Sequence, residues 1–206
     1  FNQSADFAQD VKVRQALNYA IDKQTMVDNL FYGEGKAAKG LYNSELVPYV
    51  TEENSPGYEY NLEKAKSLLA EAGYTDSNGN GTLDKDGKEL DLSIMYTTQE
   101  SPEFQTMAEY TQSQLQQVGI GLSLNPVDTN AFNEHEMAAT GYDLIINRTS
   151  SDSWLPHGDM KQLFSPLKTA NGKAKIWLDD TLVENINSTL VAKTDDERQA
   201  GYDKIF

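Results

Sequence analysis

Apolar residues recur at Val13, Ala16, Leu17, Ala20 and Ile21, the i, i+3, i+4, i+7, i+8 spacing of a helix with one buried face. The register then breaks at Asp22, a residue type that caps helix starts. A second helix follows, carrying Met26, Val27, Leu30 and Phe31 and closed by Gly33. Residues 34–60 have no period. They hold Gly35, Gly40, Pro48, Pro56 and Gly57 with Tyr42, Tyr49, Tyr58 and Tyr60, the pattern of a long loop packed on a core. Asn61 caps a helix whose face is Leu62, Ala65, Leu68, Leu69 and Ala72, ended by Gly73. A polar Asp/Asn/Gly loop over 74–88 leads to a strand over 89–97, where Leu90, Leu92 and Ile94 alternate with polar residues. Ser101 and Pro102 read as N-cap and first residue of a helix running to about Val118, with Gly119 behind it. Ile120, Leu122 and Leu124 mark a second strand over 120–127. Asp128 or Thr129 caps a short helix ending near Gly141, and the apolar run Tyr142 to Ile146 reads as a central strand. A loop over 147–156, a short helix around 158–164 and two capped helices from about 180 complete the pattern. The last of them opens on a Thr194–Glu197 capping box.

Strands alternating with helices of a dozen or so residues predict an α/β fold, a small mixed sheet flanked by helices. The final helix runs through Ala200, Tyr202 and Ile205 to Phe206 with no terminating Gly, Asn or Pro, so the 206 residues read as one excised lobe, cut at both ends. The chain has 32 acidic against 17 basic residues, a net charge of −15. That balance argues against nucleic acid and against anionic lipid, both of which need a basic face. The absence of cysteine removes disulfides, thiolate-bound zinc and thiol nucleophiles. No run reaches the ~20 apolar residues of a membrane span.

Two segments carry candidate chemistry. Asp76 to Gly87, DSNGNGTLDKDG, fits the start of a calcium loop. Asp76, Asn78 and Asn80 would supply side-chain oxygens, Gly81 the sharp turn, Thr82 a backbone carbonyl and Asp84 a further carboxylate. The twelfth position holds Gly87 instead of a bidentate Glu, leaving Asp86 or Glu89 to substitute. The competing reading is a hairpin loop in which Asp, Asn and Gly hold their own turns. The second segment is INRTSSDSWLPHGDM, Ile146 to Met160, beyond the C-terminal end of the apolar strand, where α/β proteins tend to bind ligands. Arg148 can grip a carboxylate with two parallel hydrogen bonds, Trp154 offers a flat contact surface, and His157 can ligate a transition metal or cap the helix that follows. An ordinary surface loop is the competing reading.

VRQALNYAIDK, the AEAG helix end and TDDERQAGYDKI together resemble the wording of the extracytoplasmic solute-binding proteins of ABC importers, in the large family that carries peptides, nickel and nickel complexes. The resemblance runs over nearly the whole chain. It implies the C-terminal lobe of a two-lobed, periplasmic-binding-protein-like receptor, with a peptide, nickel or nickel chelate as ligand and a membrane permease as partner. It also implies a monomer placed in the periplasm or held at the cell surface as a lipoprotein. Arg148, Thr149, Pro156 and His157 match the nickel-importer branch. The chain departs from that branch at Ser150, where the branch has Trp, and at Trp154-Leu155, where it has Tyr-Asp. In peptide-binding members the Asp of that pair holds the peptide's amino terminus; Leu155 cannot, although Asp152 lies close by in sequence. The residues assigned to ligand are therefore Arg148, Ser150, Asp152, Trp154 and His157.

Two other function classes compete. One is a calcium-stabilised extracellular structural or binding module, resting on residues 76–87. The other is a carboxylate-based hydrolase, for which Glu100, Glu103, Glu134 and Glu136 are available but no pair is singled out.

Overall fold

The computed structural model describes residues 1–2, 4–42, 44–45, 47–148, 160 and 180–206. The chain divides into two compact units, 1–37 with 58–147, and 38–57 with 148–206.

In the first unit a 3-10 turn, Asp6–Gln9, leads into α1, Val11–Ala20. The expected face is the buried one: Val13, Ala16, Leu17 and Ala20 are all at most 1% exposed. Asp22 caps α2, Lys23–Leu30, by accepting from Thr25 N at 3.0 Å, and Asn61 caps α3, Leu62–Glu71, by accepting from Lys64 N at 2.9 Å. Helices α1 and α3 share one core, to which α1 gives Val13, Ala16, Leu17 and Ala20 and α3 gives Ala65, Leu68 and Leu69. Each fully buried Leu in such a core contributes roughly 1.5–3 kcal/mol.

The sheet has three parallel strands among the described residues: β3, Asp91–Tyr96, at the centre, β4, Gly121–Pro126, on one side and β5, Leu144–Ile145, on the other. The run 142–146 was expected at the centre of the sheet. Instead β3 takes that place, because α4, Glu103–Gln116, and α5, Thr129–Ala138, cover its two faces. Leu92, Ile94 and Tyr96 point into the core built with α1, α3 and α4, while Met95 points the other way onto Phe132 of α5 and Tyr142. Helices on opposite faces follow from right-handed crossovers that run in opposite directions from β3 to β4 and from β4 to β5. The outer edge of β4 is blunted: Gln112 Nε2 donates to Leu122 O, and Pro126 has no N–H to offer.

The polar loop holds a hairpin, as its competing reading expected, with two-residue strands that the pattern does not show: β1, Asp84–Lys85, and β2, Lys88–Glu89. Asp86 (φ 55) and Gly87 (φ 76) make its turn. The α4 start also differs from expectation. Pro102 is the N-cap and makes no side-chain cap, and the Ser101 hydroxyl donates to the Glu103 carboxylate instead of capping the helix.

The second unit contains α6, Asp180–Leu190, and α7, Asp195–Ile205. The capping box is formed: Thr194 Oγ1 accepts from Glu197 N at 3.2 Å, and Glu197 Oε2 accepts from Thr194 N at 3.4 Å. Tyr202 is buried between Tyr49, stacked at 5.2 Å, and Phe206, stacked at 5.8 Å. The loop over 47–54 is fastened to α7 by polar contacts. Gln199 Nε2 donates to Tyr49 O, and Asn54 Nδ2 donates to Asp203 Oδ1 at 2.8 Å.

Candidate functional site

Strands β3, β4 and β5 all point the same way, so their C-terminal ends lie along one edge of the first unit. The chain leaves β3 toward β4 on one side, and β5 returns on the other. The C-terminal ends of β3 and β5 are thus adjacent, with loop 97–102 following one and residues 146–147 following the other, on the side of a parallel sheet where α/β proteins bind ligands. The first loop is held in place from both ends. Thr97 is 1% exposed, and its Oγ1 accepts from Gln99 N at 3.3 Å. Gln99 Oε1 accepts from Thr129 N at 2.9 Å and Thr129 Oγ1 at 3.0 Å, which ties the loop to the start of α5. Asp128 caps that helix by accepting from Asn130 N and Ala131 N. Behind β5, Ile146 N donates to Met95 O, and Asn147 Nδ2 donates to Glu136 Oε1 at 3.0 Å.

Of the residues assigned to ligand, Arg148 directly follows this edge and is exposed. Ser150, Asp152, Trp154 and His157 lie outside the described residues, as does the helix expected around 158–164 apart from Met160, which is buried. The sequence reading passed over loop 97–102. The signal was present, since a strand of alternating apolar residues runs into TTQES and then a helix, the same strand–loop–helix pattern that drew attention to 146–160.

The calcium candidates do come together in one loop, and they bond chiefly to the loop itself. Asp76 Oδ1 accepts from Gly79 N at 2.7 Å and Asn80 N at 3.1 Å, and Oδ2 accepts from Gly81 N at 3.0 Å. Asn78 Oδ1 accepts from Asn80 N, and Asn80 Oδ1 accepts from Thr82 N. Asp84 is turned to Ser77, accepting from its N–H at 2.9 Å, and these hydrogen bonds hold its carboxyl below the ordinary range. Of the two acids considered for the missing twelfth ligand, Glu89 is the one that reaches in. Its Oε1 accepts from Asn80 Nδ2 at 2.7 Å and Asn78 Nδ2 at 3.2 Å, while Asp86 sits in the hairpin turn. Among the described residues no group of three or more His, Cys, Asp or Glu side chains is arranged to hold a metal ion.

Among the described residues, the carboxyls that the fold shifts, Asp6, Glu71, Asp84 and Asp203, all move down, each through hydrogen bonds, with a lysine as the partner of Asp6 and Glu71. A general acid needs the opposite shift. No described helix is long and apolar enough to cross a membrane.

Comparison with known proteins places this architecture. Residues 1–171 match the family model described as bacterial extracellular solute-binding proteins, family 5 Middle. The chain is 36% identical over 134 residues to the oligopeptide-binding protein AppA of Bacillus subtilis, covering 65% of this chain and 24% of AppA. It is 27% identical over 198 residues to the nickel-binding periplasmic protein of Escherichia coli, covering 96% of this chain and 37% of that protein. The solved structure of AppA with a nonapeptide superposes with a TM-score of 0.85 at 28% identity, over 100% of this chain and 40% of AppA. NikA from Brucella suis with Fe(III)-EDTA gives 0.83 at 27% identity, over 99% of this chain and 40% of NikA. The chain thus spans less than half the length of these relatives. With this match and this fold, the chain belongs to family 5 of the bacterial extracellular solute-binding proteins, which are binding proteins and not enzymes.

Proposed function

We propose that this chain is the C-terminal lobe of the receptor of an ABC importer and contributes one side of the site that captures a carboxylate-bearing ligand, a peptide or chelated nickel, for delivery to a membrane permease. The observation that carries the reading is the family match over residues 1–171, joined to a fold shared over the whole chain with a peptide-binding and a metal-chelate-binding protein. The parallel sheet supports it, because its C-terminal edge is where such a fold receives ligands and Arg148 directly follows that edge. In this reading Arg148 grips the ligand carboxylate, Trp154 covers a flat part of it, Ser150 and Asp152 take polar groups, and His157 completes the coordination of nickel where nickel is carried. The receptor works outside the cytoplasm, in the periplasm or as a surface lipoprotein, and binds its ligand as a monomer.

The test uses the full-length receptor purified from its host, with the bound ligand identified by mass spectrometry and metal analysis. Arg148→Ala should weaken binding of either ligand class by about 1.5–3 kcal/mol, the worth of a hydrogen bond to a charged group. His157→Ala should weaken a nickel complex strongly and a peptide little. If both substitutions leave affinity unchanged and only lower the melting temperature, these side chains serve the fold and the site lies elsewhere.

A further inference from the structure

The loop over 76–82 contains two Asn-Gly pairs, Asn78–Gly79 and Asn80–Gly81, and the backbone N–H of each glycine donates to Asp76. Asparagine before glycine is the chemically weakest amide in a protein. The glycine nitrogen loses its proton and attacks the asparagine Cγ; the new C–N bond closes a five-membered succinimide as the Cγ–Nδ2 bond breaks and ammonia leaves. Water then opens the ring at either carbonyl, leaving aspartate or isoaspartate. Both asparagines are exposed, and a Cβ placed at Gly79 or Gly81 would meet nothing within 4 Å, so neither glycine carries a packed neighbour on that side.

We propose that Asn78–Gly79 and Asn80–Gly81 are deamidation sites of this protein and that Asp76 restrains both. Its carboxylate takes the two attacking groups at once, Gly79 N–H on Oδ1 at 2.7 Å and Gly81 N–H on Oδ2 at 3.0 Å. The lone pair left on a glycine nitrogen after proton loss lies along the former N–H direction. Here it would face the negative oxygen of Asp76 instead of the asparagine Cγ, so the attack is both misdirected and opposed by like charge. Glu89 holds the other reacting group, since its Oε1 accepts from the side-chain amides of both asparagines. The consequence of an event is local. An amide that donates to Glu89 becomes a carboxylate that can only accept, one unit of negative charge is added beside Asp76 and Glu89, and the loop loses one of its two side-chain contacts with Glu89 of β2.

The sequence supplies an internal reference, a third pair at Asn171–Gly172, outside the described residues. The experiment incubates the purified chain at mildly alkaline pH, digests it, and measures aspartate plus isoaspartate at positions 78, 80 and 171 by mass spectrometry, for the folded chain, the same chain in urea, and the Asp76→Ala variant. Conversion at 78 and 80 should be slower in the folded chain than in urea. Folded Asp76→Ala should convert about tenfold faster than the parent at both positions, the rate equivalent of losing a charged hydrogen bond, with position 171 unchanged. Equal rates at 78 and 80 in parent and variant would overturn the role of Asp76, and a slower variant would make Asp76 a base that promotes the attack. Equal rates in the folded chain and in urea would remove the restraint altogether. If Asp76→Ala does not fold, Asp76→Asn, which keeps an acceptor oxygen without the charge, should show a smaller rise in the same direction, and no rise would again overturn the proposal.

Discussion

Gly119 shows how one position can be settled by a neighbour far away in the sequence. Its φ is +78°, and a Cβ there would come within 2.7 Å of Leu83 Cγ, so the residue that ends α4 also makes room for the polar loop folded against it. Gly119→Ala combines a left-handed backbone, costing an L-residue roughly 1–2 kcal/mol, with a displaced Leu83, and should destabilise the chain by about 2–4 kcal/mol in urea unfolding. The glycine itself is legible in the sequence as a helix stop, but its contact with Leu83 is not. Tyr202 makes a second prediction at this scale. Burial is the main cause that raises its phenol from 10.0 to about 12, against the opposing pull of Arg198. A group whose folded pKa is raised contributes stability that is present below its unfolded value and lost as pH climbs. The melting temperature should therefore fall between pH 10.0 and about 12, and fall less steeply in Tyr202→Phe. Identical alkaline limbs in the two proteins would show that folding does not raise the Tyr202 phenol.

Elements were read well wherever a period and a cap agreed. Helices α1, α2, α3, α5 and α7 begin at capping side chains in the structure; Asp22, Asn61 and Thr194 are legible as caps in the sequence, and Asp128 as one of two alternatives with Thr129, because a cap is a local contact between a side chain and the next turn. Local rules failed at α4, where Pro102 displaced Ser101 as the cap, and they did not show the strands of the β1–β2 hairpin, which at two residues each are too short to show a period. The start of the chain makes the element-scale prediction. Asn2 is buried, with Nδ2 donating to Ala139 O at 3.2 Å and Tyr142 O at 2.8 Å, and its backbone N–H donates to Asp143 O. It thereby fastens the turn between α5 and β5, and Asp143 in turn accepts from Ser93 of β3. Asn2→Ala should cost about 1–3 kcal/mol, because buried carbonyls lose their donor, and hydrogen exchange should quicken in β5 before α1. Uniform loss of protection across the first unit would contradict that order.

For the molecule as a whole, the calcium reading of residues 76–87 is a separate proposal with its own test. With the loop's oxygens already engaged by backbone donors and no bidentate Glu at the twelfth position, any affinity should fall at the weak extracellular end, about 10⁻⁴–10⁻³ M. Millimolar calcium should then raise the melting temperature relative to chelator. An unchanged melting temperature would leave the loop held by its own hydrogen bonds alone.

The one-dimensional pattern was enough for the α/β class, most helix boundaries and the family, since periodicity, caps and signature wording are all properties of neighbouring residues. It could not decide which strand lies at the centre. The apolar run Tyr142 to Ile146 looked the more buried, yet β3 holds the centre because the crossover directions put α4 and α5 on its two faces, and hydropathy carries no information about crossover direction. Nor could it decide that Thr97, Gln99 and Thr129 converge at the C-terminal edge of the sheet, or that Glu89 and not Asp86 reaches the Asp76 loop. The Gln99–Thr129 contact joins residues 30 positions apart and depends on α5 packing onto the sheet, and the Glu89–Asn80 contact depends on β2 folding back beside the loop.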